Sequence, residues 1–186
     1  MKMENEFFKK AQNIVNDMAA CRQGNQHHYI ASLGRDSTVL EHTDLVCEAV
    51  AEIAPATTSA ILTTVAYFHD CGKPAKKIYN PEKGLYQFIG HADESERIFR
   101  GMRDDFEFLS DEEFEQCAVL ISTHESVGGR KAIRKYYNTY GDYLTRLHLV
   151  FRYCDIMGQN PEFAEPKLKE LEEAWVVFEE LREADL

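Results

Sequence analysis

The chain has 186 residues, 44% hydrophobic and 11% aromatic, enough to bury one good core and too few for a second large domain, so a single domain over 1–186 is expected. Its formal charge of −11, from 21 basic and 32 acidic side chains, repels polyanions at long range and argues against broad nucleic-acid binding. No apolar run approaches the roughly 20 residues that span a bilayer, and the opening MKMENEFFKKAQNIV mixes charges among its hydrophobics where a secretion signal needs an apolar core, so a cytoplasmic protein with no membrane partner is expected.

The apolar residues recur mostly at helical spacing, which predicts an all-α protein. Phe7, Phe8, Ala11, Ile14, Val15 and Met18 form one stripe of a first helix, ended by the polar CRQGNQ of 21–26. A second helix is expected over Ser37–Ile53, with Leu40, Val46, Val50 and Ile53 on one face and Pro55 preventing extension. Thr57–Asp70 is dense in aliphatic and aromatic residues and reads as a central buried helix, although its Thr and Val content also permits a strand. NPEKG at 80–84 is turn chemistry, so Gly72–Gly90 reads as a long loop. Ser110 with Glu113 predicts a capping box opening a helix to Thr123. Another apolar run spans Tyr143–Met157, and an acidic helix over Glu165–Arg182 docks Leu168, Leu171, Trp175 and Phe178. The five cysteines are scattered and never form a CxxC pair, which points to packing thiols instead of disulfides or a zinc knuckle.

Charge is uneven along the chain. Residues 160–186 carry nine acidic and three basic groups, whereas 71–91 set Lys73, Lys76, Lys77 and Lys83 against Glu82 alone. That local positive charge follows a pair of chemically active residues, His69 and Asp70, at the end of the central helix. His42, His124 and Asp155 lie on three further helical segments, and His91 opens another. A lone His on an apolar helix is ordinarily a core residue. A carboxylate beside an imidazole at the end of a buried helix, however, costs several kcal/mol unless it is paired or metal-bound, and Asp155 inside LHLVFRYCDIM meets the same objection. Imidazoles and carboxylates in this mix bind zinc, manganese, iron, nickel or magnesium.

Arg130, Lys131, Arg134 and Lys135 follow His124 and are expected either to face phosphate or to form a solvated helix face. Tyr136, Tyr137 and Tyr140 beside them can stack a base or simply pack. Glu125 is a candidate for proton transfer or for support of a ligand. His27 and His28 read as loop contacts within HHYIASLGRDS, a segment able to fold over the site, and His148 as either a core residue or a support for the ligands, two turns before Asp155. Asp44, two residues past His42, points away from it.

The order His42, His69-Asp70, Asp155 resembles the H…HD…D signature of the HD-domain superfamily of metal-dependent phosphohydrolases. The longer pattern FHDCGKP…FIGHADES…ISTHE…RYCDIMGQNP is similar to the HD domain attached to bacterial CCA-adding tRNA nucleotidyltransferases, over roughly 42–159. The resemblance implies a helical bundle holding a metal centre. His42, His69, Asp70 and Asp155 would ligate a first ion, and Asp70 would bridge to a second held by His91 and His124. Lys73, at the position of the family's GK lysine, would act with Asp70 in catalysis by placing positive charge on a phosphate oxygen. Arg130 and Arg134 are the further candidates for substrate contact.

The expected activity is hydrolysis of a phosphomonoester or cyclic phosphodiester in a nucleotide or other small phosphorylated metabolite. Only 41 residues precede His42, without the Gly-Ser and paired-Asp pattern of a nucleotidyltransferase head, so a stand-alone domain without CCA addition is expected. The alternatives are a mixed-valence di-iron oxygenase, which the same six ligands serve in a few superfamily members, and a non-catalytic nucleotide-binding module.

Overall fold

A computed structural model describes residues 2–126 and 129–185, with side chains from Lys9 onward; Phe7 and Phe8 of the first stripe lie outside those side chains. The architecture is all-α. Helices α1 (Lys2–Ala20), α2 (Val39–Ile53), α3 (Ser59–Phe68), α4 (Lys73–Lys76), α5 (His91–Arg100), α6 (Asp111–Thr123), α7 (Gly129–Met157) and α8 (Pro161–Ala184) are joined by two small antiparallel ladders, β1 (Tyr29–Ile30) with β2 (Arg35–Asp36) and β3 (Ile78–Asn80) with β4 (Leu85–Gln87). None of the described helices is long and apolar enough to cross a membrane.

Local chemistry sets the helix starts. Thr38 and Glu41 cap α2 reciprocally, and Ser110 and Glu113 do the same for α6, each box satisfying amide groups that a first helical turn leaves without partners. Pro55 follows α2 closely, as expected. Ile53 nevertheless lies outside the predicted buried face, being 42% exposed, because the last turn of α2 runs past the core.

The Gly72–Gly90 stretch is not a long loop. It folds into α4 and a hairpin in which Ile78 pairs with Gln87, Tyr79 with Tyr86 and Asn80 with Leu85. Asn80 makes the turn: its Oδ1 accepts from the backbone amides of Glu82 at 3.0 Å and Lys83 at 3.2 Å, an Asx arrangement. The predicted Tyr143–Met157 helix is the second half of α7, which bends at Gly141 (φ 77°, ψ −178°), a backbone region open essentially to glycine.

The main core gathers Val46, Leu62, Val65, Leu120, Ile121 and Phe151 from α2, α3, α6 and α7, with Phe99 stacked on Phe114 at 4.3 Å between ring centres. A second cluster seals α7 to α8 through Ile133, Leu149, Leu171, Val177 and Phe178. Each fully buried Leu, Ile or Phe contributes about 1.5–3 kcal/mol by leaving water. A third cluster of Met18, Cys21, Val39 and Cys71 ties α1 to the end of the central helix. The ends of α3 and α6, the starts of α2 and α5, and the last turn of α7 are thereby held at one place.

Candidate metal centre

Four imidazoles converge there from four helices, and their ring nitrogens are sorted by the backbone. Nδ1 of His42 lies 3.0 Å from the carbonyl of Gly158, that of His69 2.8 Å from Ala66, that of His91 2.9 Å from Phe88 and that of His124 2.8 Å from Ile121. A carbonyl only accepts, so each Nδ1 carries the proton and each Nε2 is turned to the common centre, the arrangement that orients metal-binding histidines. His42 and His69 bring their Nε2 atoms to 3.4 Å, and His91 and His124 to 3.2 Å. Two imidazole lone pairs that close repel each other unless a proton or a cation lies between them.

Asp70 stands between the two pairs. Its Oδ2 is 3.3 Å from His69 Nε2 and 3.7 Å from His42 Nε2, while Oδ1 is 3.2 Å from His91 Nε2 and 3.7 Å from His124 Nε2. His42, His69 and Asp70 thus form one buried group able to hold a metal ion, and Asp70, His91 and His124 a second. Asp155 Oδ1 approaches the first group, 3.1 Å from His42 Nε2. Neither Asp70 oxygen receives a hydrogen bond of good geometry although both are buried; a carboxylate in that position needs cations around it. The donor set fits a divalent metal.

The ionisation pattern follows from these contacts. Burial opposes the charge on Asp70, yet Lys73 and His69 hold its carboxyl well below the usual range. Asp155 is held down in the same way, against burial, by His42 and Arg152. Burial also works against a charged His69, but Asp70 outweighs it and raises the imidazole above its ordinary value. His124 goes the other way, lowered to about 3 by burial and by His69, which keeps its Nε2 lone pair free. The Lys73 ammonium sits 2.7 Å from Asp70 Oδ2 and donates to Gln23 Oε1 at 2.9 Å, and Arg152 Nη1 meets Asp155 Oδ2 at 2.6 Å.

All six residues expected as ligands therefore meet, and Lys73 joins them. Arg130 and Arg134 do not. Both reach Glu180 on α8, at 3.3 and 3.2 Å, on an exposed face that takes no part in the cleft lining, because the helical phase of α7 points them at the neighbouring acidic helix. Tyr136 is buried with its hydroxyl against Thr123 Oγ1 at 3.0 Å, and Tyr137 donates to Asp185, so both pack. His148 is fully buried against the Tyr136 ring, its pKa lowered to about 3 by burial and by Arg152. Asp44 is exposed.

A cleft of about 380 Å³ opens onto Asp70, His91, His124 and Asp155. Its walls include Asn25, His27 and His28 from the segment before β1, Gln87 at the end of β4, Phe88 and Ile89 just after it, and Glu125, Arg152, Gln159 and Lys167. Of the HHYIASLGRDS segment, its first two residues reach the site: the His28 ring stands edge-on to that of His42 at 4.6 Å between centres, and the His27 carbonyl accepts from the Asn160 amide at 2.8 Å. Sequence reasoning missed Gln23, Arg152 and Lys167. Arg152, three residues before Asp155, was within reach of a helical-neighbour argument; Lys167 and Gln23 carry no local signal.

Gly72 sets the placement of His91. A β-carbon there would come within 2.4 Å of the His91 carbonyl and 2.6 Å of the Ser95 amide, both backbone, and the Gly72 amide donates to Ser95 Oγ at 2.8 Å. Gly72→Ala is expected to push α5 outward, destabilise the protein by about 1–3 kcal/mol and weaken the second metal group selectively; urea unfolding and metal titration of the variant check this.

No family model matches the chain, and no solved structure matches it. A stretch of 74 residues, 39% of the chain, is 35% identical to the CC-adding tRNA nucleotidyltransferase of Thermus thermophilus and covers 17% of that protein. The likeness is weak and is confined to a small part of that enzyme.

Proposed function

We propose that this protein is a metal-dependent phosphohydrolase of the HD-domain type, acting on a nucleotide or another small phosphorylated metabolite. The observation that carries the reading is Asp70, whose two oxygens face two different histidine pairs at the floor of an open cleft. The ordered His, His-Asp and Asp pattern, with the lysine after it, lends further support. When bound, two divalent ions would supply positive charge at a phosphoryl oxygen and a water of lowered pKa. His42, His69, Asp70 and Asp155 would hold one, and Asp70, His91 and His124 the other.

The remaining work falls to the chain. Nδ1-to-carbonyl bonds hold the four imidazoles in the orientation that loading requires. With neutral imidazoles, the carboxylates of Asp70 and Asp155 are balanced by Lys73 and Arg152, so added metal charge is surplus and draws an anion into the cleft. Lys73, already 2.7 Å from Asp70, is placed to donate to a phosphate oxygen beside that carboxylate. Glu125, exposed at the rim, is open to water and suits proton exchange with the leaving group.

Phosphate or monoester release from a panel of nucleotides, 2′,3′-cyclic nucleotides and sugar phosphates, with Mn²⁺, Ni²⁺ or Mg²⁺, tests the reading. Lys73→Ala is expected to lower kcat/KM by about 10- to 100-fold, the worth of one charge-assisted hydrogen bond, with metal content retained. Metal-loaded wild type that releases nothing across the panel overturns the hydrolase reading, and oxygen uptake by an iron-loaded form would turn it toward the di-iron oxygenase.

A further inference from the structure

Three cationic side chains face the cleft of a chain whose net charge is −11: Lys73 from α4, Arg152 from α7 and Lys167 from α8. The first two are matched, by Asp70 at 2.7 Å and Asp155 at 2.6 Å. Lys167 is not. Its ammonium donates to the side-chain oxygen of Gln159, a neutral group, and among the described residues it meets no carboxylate. Its helix makes this unusual. Lys169 on α8 pairs with Glu165 at 2.9 Å, Arg182 pairs with Glu179 and Asp142, and Arg130 and Arg134 both reach Glu180. Lys167 turns away from all those glutamates and into the cleft.

Burial and then the nearby Arg152 charge lower the Lys167 pKa, against the opposing pull of Asp155 and Glu125, so the ammonium stands in a mixed field and is paired directly with neither carboxylate. Arg152 spends Nη1 on Asp155, and its guanidinium has further N–H groups to give. At about 380 Å³ the cleft is in the range of small-molecule sites and extends beyond the metal groups toward α8.

We propose that Lys167 and Arg152, with Gln159 positioning the lysine, form a second anion subsite, and that the substrate carries two phosphate groups, as a nucleoside bisphosphate does. This deepens the phosphohydrolase reading and rests on it for the chemistry. One phosphoryl group lies at Asp70 and Lys73, and the other is held at Lys167. Water oxygen bonds to the first phosphorus, the ester P–O bond breaks, and the ester oxygen takes a proton. The products are inorganic phosphate and an alcohol that keeps the second phosphate.

The test compares adenosine 3′,5′-bisphosphate with adenosine 5′-monophosphate on the full chain, by calorimetric binding to metal-free protein and by kcat and KM with metal. Wild type is expected to bind the bisphosphate about 10- to 100-fold more tightly, the worth of one charged contact. Lys167→Met should erase that preference, in KM and not in kcat, and Lys167→Arg should keep it. Equal affinity for the two ligands in wild type, or a preference that survives in Lys167→Met, overturns the subsite. If the Lys167-dependent preference persists while metal-loaded wild type hydrolyses neither these two compounds nor any member of the wider panel, the subsite stands and the hydrolase reading falls.

Discussion

Asp70→Ala is expected to lose bound metal and turnover together, with phosphate release falling by at least about a thousandfold, the scale of several kcal/mol of lost transition-state stabilisation. Asp70 is the residue common to both ligand groups, so its removal takes one donor from each. The same change has a structural consequence. Lys73, 8% exposed and 2.7 Å from Asp70, keeps Gln23 but loses its carboxylate. Breaking a buried pair from one side costs about 3–5 kcal/mol, and urea titration of the metal-free variant should read a loss of that order. Asp70→Ala/Lys73→Met should recover much of this stability without recovering metal or activity. Full turnover in Asp70→Ala would sink the metal-site reading altogether.

Much of the site was legible because its signals are local in the chain. His69 and Asp70 are adjacent, the Ser110–Glu113 box spans four residues, and the helical stripes repeat every turn or two. What could not be read depends on how distant elements are turned toward each other. Arg130 and Arg134 look like phosphate ligands until α8 places Glu180 beside them, a relation across 46 to 50 residues. Lys167 looks like one more charge on a solvated acidic helix, and only its tertiary position gives it meaning. The β3–β4 hairpin escaped notice because strands of three residues are too short for an alternating pattern to register. The Gly141 bend has the same cause in reverse, since a long helical period hides one glycine that breaks it.

Loading the metal-free chain with Mn²⁺, Ni²⁺ or Zn²⁺ is expected to raise its melting temperature by roughly 8–16 °C at a thousandfold excess over the dissociation constant, because ligand binding to the folded state alone then adds about 4 kcal/mol. Ligands already in place lower the metal concentration at which that excess is reached. Without an ion, the Nε2 atoms of His91 and His124 face each other at 3.2 Å, and Asp70 Oδ1, on the side away from Lys73, is buried with no hydrogen bond among the described residues; an ion relieves both. Two ions per chain are expected. His124→Ala should bind one, because His42, His69, Asp70 and Asp155 keep the first group while the second retains only His91 and the shared carboxylate. Metal analysis of the dialysed proteins, run beside their melting curves, decides the matter. A wild type that no divalent ion stabilises would overturn the centre itself, whereas a single ion in wild type, undiminished in His124→Ala, would leave Asp70 serving one site with its second oxygen turned toward the substrate.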